Sequence, residues 1–364
     1  MGAATSLERS TGSEDFRRRS AAIRLWDVSP LDRLVTPWHD LARRTRPFPV
    51  SRNFFHTAEL AASARWVEET LALERGEYER LLREDVGGFV SWVYPDAAPR
   101  QLRALADFHH WAVWLDDQMD RKTTPASSLS ACSVLETLGT AELAPFDDFF
   151  TRMRAGGMDD RHAARFLDAM HRYGASSRTE VRAREGQGRF GSVAEYIANR
   201  RESAAMPVYY TLIAWISRID LPDEVYAHPV VVDLENACSD YALLYNDAGS
   251  FTKEYLAGRT EGTFVRLLSR ELGLSVQDTL YEIADMAAAA ADDLETASDR
   301  IDACGLPTEQ CAQIHVYAEG LRKFTGGVNH WSNHTPRYLV GQPLAETPST
   351  SRAGDTHHLR IGPA

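Results

Sequence analysis

The sequence predicts an all-α protein, built as a single helical domain between two polar ends. Apolar residues recur three or four positions apart over segments longer than most strands, which is the period of an amphipathic helix. The alternating pattern of a half-buried strand is nearly absent. Connections such as "DLPDE" and "CGLPTE" contain the residues at which helices usually stop. We therefore expect a bundle of about ten helices.

The helical period is continuous through the middle of the chain, with no internal repeat and no convincing linker. The segments that carry it are, in chain order, 56–82, 99–121, 161–173, 192–217, 230–258, 263–273, 275–301 and 308–335. Residues 1–20 and 341–364 are polar and almost free of aromatics, so we expect two disordered tails. The predicted domain therefore spans 21–340.

Composition excludes several classes of function. Of the 364 residues, 44% are hydrophobic, which is ordinary for a globular protein, and the formal net charge of −12 disfavours binding to nucleic acid. No apolar run approaches the roughly 18 residues of a membrane span. The four cysteines have no metal-site or disulfide-framework spacing. We interpret them as reduced thiols, as in a cytoplasmic protein.

The stretch "WLDDQMDRK" (114–122) ends an apolar helical face with three aspartates. On a helix, Asp116 and Asp120 lie one turn apart on the same face, and Asp117 lies about 100° round. Neighbouring carboxylates repel one another, and the negative end of the helix dipole disfavours them further. From this motif alone, a metal site and a solvated helix end both remain open.

A second polar stripe occurs in "NDAGSFTKE" (246–254), directly after the apolar "YALLY". Asn246, Ser250 and Glu254 are spaced four apart, so they lie along one side of a helix. Amide, hydroxyl and carboxylate oxygens are hard ligands suited to Mg²⁺. The alternative is an exposed helix with ordinary polar residues, which explains any one of the three better than all of them together.

Together the two motifs resemble the class I terpene synthase (terpene cyclase) family, in particular its microbial single-domain members. "DDQMD" matches the family's DDxxD motif, and "NDAGSFTKE" matches its second metal motif, NDxxSxxxE. "HTPRY" supplies the family's C-terminal Arg-Tyr pair, and "NRRES" supplies an arginine upstream of the second motif. The resemblance covers roughly residues 45–340.

The resemblance implies a class I terpenoid synthase-like helical bundle around a central apolar cavity, with both metal motifs at its mouth. It implies a lyase that uses Mg²⁺, with three ions, to ionise and cyclise a linear isoprenyl diphosphate. The aspartates would then be neutralised by metal and diphosphate, with Asp117 pairing instead with a cation such as Arg337. A possible homodimer is also implied. The implied metal ligands are Asp116, Asp120, Asn246, Ser250 and Glu254.

The same resemblance implies a set of groups that bind the diphosphate. Arg337 and Lys253 would hold its oxygens, and the Tyr338 hydroxyl would donate a further hydrogen bond. The adjacent Arg200 and Arg201 are both candidates, because the sequence leaves open which of them points inward. The implied catalytic residues are Arg200, Arg201, Arg337 and Tyr338.

Residues beside the motifs bear on the length of the substrate. The positions one turn before Asp116 and one turn after the arginine pair are small, which slightly favours geranylgeranyl diphosphate (C20) over farnesyl diphosphate (C15). These small residues are Ala112, Val113, Ala204 and Ala205.

Aromatic faces stabilise cations. The candidates for such a wall are Trp111, Trp114, Tyr209, Tyr210, Trp215 and Trp331.

Three alternatives are weaker. A chain-elongating prenyltransferase shares the architecture but uses two DDxxD motifs, and only one is present. A di-iron bundle needs Glu-x-x-His pairs, which are absent, and a helical scaffold leaves both metal motifs unexplained.

"GQGRFG" (186–191) follows no strand and is therefore interpreted as a loop. We expect one of His109 and His110 to be packed and the other exposed.

Overall fold

The structure is a computed structural model that describes residues 48–120, 132–139, 143–184, 186–256 and 262–338. The regular structure of this part of the chain is all helical and includes no β-strand, which confirms the all-α prediction. None of its helices is both long and apolar enough to cross a membrane. The predicted tails, 1–20 and 341–364, lie outside the described residues.

The helices are named α1 to α13 in chain order. They are α1 His56–Thr70, α2 Arg75–Arg83, α3 Val86–Val93, α4 Pro99–Asp120, α5 Ala144–Ala155, α6 Asp160–Arg184, α7 Val193–Ser203, α8 Met206–Ile216, α9 Asp223–Tyr226, α10 Pro229–Leu256, α11 Phe264–Leu272, α12 Val276–Asp299 and α13 Thr308–Ser332.

Several helix ends follow from local sequence. Ser192 and Ser275 precede α7 and α12, and each side chain accepts a hydrogen bond from a backbone amide of the first turn. Thr263 does the same for α11. Gly273 ends α11 in the left-handed conformation (φ 67°), which glycine adopts at little cost.

Two of the predicted helical segments are each divided in the structure. Ala72 (φ 48°) separates α1 from α2, and Ala205 (φ 57°) separates α7 from α8. Alanine is a strong helix former, so the alanines at these two positions do not predict a left-handed residue or a break in the helix. The break at Ala205 matters for the site, because it turns the chain directly beside the central cavity.

The long helix α10 is the centre of the fold. It packs against α7, α12 and α13, and a run of its residues from Tyr241 to Tyr245 is almost entirely buried. On the other side, α4 packs against α1, α3 and α5. The two metal motifs predicted from the sequence lie on α4 and α10, so the packing of the bundle decides how they face each other.

Helix α13 approaches its neighbours closely at a glycine pair. A Cβ atom on Gly326 would overlap the carbonyl oxygen of Pro49, and one on Gly327 would overlap that of Trp92 in α3. These overlaps are with backbone, which cannot swing away as a flexible side chain can. Gly327 therefore sets the distance between α13 and α3, and Gly326 sets the distance between α13 and the chain at Pro49.

Glu235 of α10 is a half-buried carboxyl that belongs to neither motif. Its Oε1 accepts a hydrogen bond of 2.7 Å from the Tyr317 hydroxyl of α13. Burial raises the pKa of Glu235 from its ordinary 4.5 to about 7, although the Tyr317 hydrogen bond acts in the opposite direction. Glu235 therefore makes stability depend on pH in a range where most carboxylates do not titrate.

The substitution Glu235→Gln tests this assignment. Because the folded-state pKa lies above the unfolded one, the wild-type carboxyl contributes stability that is present below about pH 4 and lost as pH rises through about 7. Glutamine does not titrate, so the variant should gain on the wild type between pH 5 and 8, by about 3 kcal/mol at most. Urea denaturation at both pH values measures the difference. The exposed Glu68→Gln is the control, and a pH-independent difference for Glu235→Gln would contradict the assignment.

Candidate active site

A cavity of about 190 Å³ lies between helices α3, α4, α6, α7, α8, α10 and α13. Most of its wall is apolar or aromatic. A smaller, polar chamber adjoins it and is lined by side chains of α7 and α10, including Ser250 and Glu254. The residues that line both are Asp116, Arg200, Asn246, Arg337 and Tyr338. The structure thus brings residues of both predicted motifs and the Arg-Tyr pair to one junction.

Asn246 holds three separate parts of the chain together at this junction. Its Oδ1 accepts a hydrogen bond of 2.8 Å from Arg200 Nη2 of α7. Its Nδ2 donates one of 2.6 Å to the hydroxyl of Tyr338, which follows α13. The amide is therefore oriented from both sides, with its oxygen towards a cation and its nitrogen towards a hydroxyl.

Arg200 is largely enclosed at the junction, with 15% of its side chain exposed, and its charge is compensated by carboxylates. Its Nε donates to Asp247 Oδ1 at 2.9 Å, and its Nη1 lies 3.8 Å from Glu180 Oε1 of α6. The Tyr196 hydroxyl donates to the other oxygen of Asp247 at 2.9 Å. Burial alone lowers the pKa of Arg200, but Asp247 and Glu180 outweigh it and raise the pKa well above its ordinary value. The guanidinium is therefore permanently charged.

Arg201, the second of the two candidates, occupies a different environment. Its Nε and Nη2 each donate to a carboxylate oxygen of Asp240 at 2.7 Å, a bidentate pair. It lines neither chamber, whereas Arg200 lines both. Consecutive residues on a helix point about 100° apart, so only one member of the pair faces the cavity. Of the two, Arg200 is the one whose side chain lines the cavity.

The three aspartates of the first motif are not equivalent. Asp117 is 7% exposed and contacts Arg80 of α2 at 2.8 Å and Arg337 at 3.3 Å. Asp116 lies on the cavity side, where its side chain is 43% exposed. The Tyr173 hydroxyl donates to Asp116 Oδ1 at 3.2 Å. The side chain of Asp120 lies outside the described part of the chain.

Arg337 joins the first motif to the loop before α3. It pairs with Glu84 and Asp117, and its Nη2 lies 4.0 Å from Asp116 Oδ2. Burial lowers the pKa of Arg337, but Asp117 and Glu84 outweigh this effect and leave the pKa above its ordinary value. The predicted pairing of Asp117 with Arg337 is present in the structure.

The second motif presents its oxygens on one side of α10. The Ser250 hydroxyl donates to Glu254 Oε1 at 2.8 Å, and both residues line the polar chamber together with Asn246. Across the chamber lies Asp116. Carboxylate, amide and hydroxyl oxygens around one small polar space are a donor set that fits a hard divalent cation such as Mg²⁺. The side chain of Lys253 lies outside the described residues.

The aromatic wall differs from the one expected. Tyr209 and Trp331 line the cavity, but Trp111, Trp114, Tyr210 and Trp215 are not among its lining residues. The lining aromatics that were not among the sequence candidates for the wall are Phe89, Phe108, Tyr173 and Phe324. One signal was available: Phe108, Ala112 and Asp116 are spaced four apart, so Phe108 shares the stripe that ends at the acidic motif.

Two further expectations about the wall have different outcomes. The small residues Ala112, Val113, Ala204 and Ala205 all line the cavity, as predicted. The expectation that one of His109 and His110 is exposed is wrong, because both are almost fully buried. His110 hydrogen-bonds Ser63 of α1 at 3.0 Å, whereas His109 lines the cavity. Packing of α1 against α4 covers the side that the sequence left open.

Comparison with known proteins identifies relatives with this architecture. The chain is 26% identical over 261 residues to sesquiterpene synthase Agr1 of Cyclocybe aegerita, covering 70% of this chain and 74% of that protein. It is 26% identical over 356 residues to pristinol synthase of Streptomyces pristinaespiralis, covering 90% and 87%. The crystal structure of germacradien-4-ol synthase from Streptomyces citricolor superimposes with a TM-score of 0.67 at 25% identity, covering 80% of this chain and 97% of the other.

The family comparison covers the metal motifs. Residues 107–293, just over half of the chain, match the family described as "Terpene synthase family 2, C-terminal metal binding". This range contains both the aspartates of α4 and the Asn/Ser/Glu stripe of α10. The chain therefore belongs to terpene synthase family 2 and is an enzyme of the terpene synthase class, a lyase that acts on a prenyl diphosphate.

Proposed function

We propose that this enzyme uses Mg²⁺ to ionise a linear isoprenyl diphosphate and cyclises the resulting allylic cation with release of diphosphate. The observation that carries the proposal is the junction of two chambers with opposite chemistry. An aromatic, apolar space suited to a hydrocarbon adjoins a polar space lined by oxygen ligands and arginines. Such a junction separates a charged leaving group from the carbon skeleton.

The proposed metal ligands are the oxygens around the polar chamber. Asp116 would bind from α4, while Asn246, Ser250 and Glu254 would bind from α10, and Asp120 remains a predicted ligand. Bound Mg²⁺ would supply charge stabilisation to the departing diphosphate. The predicted count of three ions goes with this proposal, since diphosphate oxygens would complete the coordination of ions held by so few side chains.

The proposed diphosphate-binding groups are the cations at the junction. Arg200 and Arg337 carry guanidinium groups whose planar geometry suits bidentate contact with phosphate oxygens, and both keep their charge when buried. The Tyr338 hydroxyl accepts from Asn246 and so keeps its own proton available for a leaving-group oxygen. Lys253 remains a predicted fourth contact. Arg201 would have a structural role, because its Nε and Nη2 are paired with Asp240.

The apolar chamber would fold the chain and shield the cation. Phe89 and Tyr209 lie with ring centroids 6.1 Å apart, and Phe89 and Trp331 lie 5.1 Å apart, both edge to face. Aromatic faces stabilise positive charge without offering a nucleophile. Exclusion of water by this wall would let the cation rearrange before it is quenched.

Farnesyl diphosphate is the proposed substrate. Phe89, Phe108 and Phe324 occupy space around the small residues of the wall, and Agr1 is named a sesquiterpene synthase. Geranylgeranyl diphosphate is the second candidate. It is favoured by the four small residues on α4 and at the α7–α8 break.

A substrate panel tests the function. Purified enzyme with Mg²⁺ should convert farnesyl diphosphate to a cyclic C15 hydrocarbon or alcohol faster than it converts geranyl or geranylgeranyl diphosphate. Gas chromatography with mass detection of a hexane extract identifies the product. A cyclic C20 product instead would select the second candidate. Longer linear diphosphates formed with isopentenyl diphosphate would indicate a chain-elongating prenyltransferase, and no Mg²⁺-dependent product would refute the proposal.

The substitution Asn246→Ala tests the metal role of the α10 stripe. It removes a proposed ligand and the link between Arg200 and Tyr338, so Mg²⁺-dependent diphosphate release should fall by about 100-fold or more. Asn236→Ala, ten residues earlier on α10 and outside both chambers, is the matched control and should keep wild-type activity. Circular dichroism should show the same helix content in both. Near-normal release by folded Asn246→Ala would exclude the ligand role.

The paired substitutions Arg200→Lys and Arg201→Lys test which arginine contacts diphosphate. Lysine keeps the charge but cannot reproduce a bidentate contact. Arg200→Lys should lower diphosphate release by about 100-fold, whereas Arg201→Lys should lower thermal stability and leave activity within a few-fold of the wild type. Steady-state kinetics and thermal unfolding separate the two effects. Equal losses of activity would contradict the selection of Arg200.

A further inference from the structure

His109 is a buried histidine that the proposed ionisation step does not use. It lies on α4 and lines the apolar chamber, with 3% of its surface exposed. Its Nδ1 lies 2.7 Å from the carbonyl oxygen of Leu105, one turn earlier on the same helix. A carbonyl oxygen can only accept, so Nδ1 carries the proton and the lone pair of the neutral ring resides on Nε2.

The Nε2 atom of His109 has no hydrogen-bond partner among the described residues. Buried polar atoms are normally paired, so such an exception indicates a function or an unfilled contact. Nδ1 faces the backbone of α4, which places Nε2 on the edge of the ring away from that helix. Four rings surround the imidazole, with centroids 4.8 to 5.8 Å away, and all but Tyr94 line the cavity. They are those of Phe89, Tyr94, Phe108 and Tyr209.

The surroundings keep this imidazole neutral. Burial lowers the pKa of His109 to about 4, and the hydrogen bond to Leu105 opposes the effect only in part. At neutral pH the Nε2 lone pair is therefore available. A carbon-bound hydrogen next to a carbocation is a far stronger acid than an imidazolium ion, so a weakly basic nitrogen is sufficient to remove it.

The charged groups of the cavity and the amide of Asn246 have different positions. Asp116, Arg200, Asn246 and Arg337 belong to the junction with the polar chamber. Among the described residues that line the apolar chamber, His109 alone offers an uncharged nitrogen lone pair. It lies seven residues before Asp116, which is about 10 Å along the helix axis. It therefore faces the body of the hydrocarbon and not the carbon that loses diphosphate.

We propose that Nε2 of His109 is the proton acceptor that ends the cation cascade. This inference rests on the proposed cyclase function. The Nε2 lone pair forms a bond to a hydrogen on the carbon next to the cationic carbon, and the electrons of the broken C–H bond form the product's double bond. Diphosphate has already left with the electrons of the C–O bond, so the charges balance. The imidazolium then passes its proton to solvent when product leaves.

The test uses two amide substitutions that differ in reach. His109→Asn keeps a donor near the position of Nδ1 for the Leu105 carbonyl but removes the atom at Nε2. His109→Gln extends an amide to the Nε2 position, where its oxygen is a weak proton acceptor. The control is His110→Asn, because His110 is equally buried on the same helix but does not line the cavity. Diphosphate release and the ratio of extracted products are measured separately for each variant.

We expect His109→Asn to release diphosphate within a few-fold of the wild type while the share of the main product falls by about tenfold or more. Isomers with other double-bond positions, or alcohols, should replace it. His109→Gln should give an intermediate share and His110→Asn an unchanged one. Because the wild-type imidazole is neutral at and above pH 6, its product ratio should not change between pH 6 and 9.

An unchanged product ratio in folded His109→Asn would overturn the proposal. So would a fall in diphosphate release with the ratio preserved, since that result would indicate a role in positioning the substrate. Should His109→Asn fail to fold, His109→Gln decides, and a wild-type ratio in that variant overturns the inference. Absence of Mg²⁺-dependent diphosphate release by the wild type would instead refute the proposed function itself.

Discussion

The contact of Arg200 with Asp247 and Asn246 is the interaction on which the geometry of the site depends. A charge buried beside an apolar chamber is tolerated only if it is paired and hydrogen-bonded. Arg200 is paired with Asp247 and hydrogen-bonded to Asn246, both on α10. Asn246 in turn donates a hydrogen bond to Tyr338. One guanidinium thus fixes α7, α10 and the segment after α13 relative to one another. The position of the α10 stripe follows from that network.

The opposite wall is organised by a second group of charges. Arg80 and Arg337 share the carboxylates of Glu84 and Asp117, which ties α2, α4 and the C-terminal segment together. Asp117 is thereby held in ion pairs that stabilise the fold, whereas its neighbour Asp116 faces the cavity. Adjacent aspartates in one motif can therefore have separate duties, because the helix turns about 100° between them.

Much of this arrangement could be predicted from the sequence, and the remainder has physical reasons for being hidden. The period of apolar residues gave the helices, and the spacing of Asn246, Ser250 and Glu254 gave the stripe. Periodicity identifies a buried face but does not say whether it meets a cavity or another helix, so Trp215 and Phe324 could not be told apart. The choice between Arg200 and Arg201 depends on how α7 is turned against α10. The break at Ala205 goes against the helix propensity of alanine.

The close contact at Gly326 and Gly327 bears on how this enzyme can evolve. The two glycines hold α13 against α3 and the chain at Pro49, and α13 leads into the segment that carries Arg337 and Tyr338. One added methyl group there would displace α13 from α3 and from Pro49. Because packed interiors transmit strain, the displacement would reach the junction that holds Arg337 and Tyr338. Selection for new products can therefore act through positions that never meet the substrate. In a mutational library, substitutions at the contact between α3 and α13 would therefore be expected to change the products without contacting the substrate.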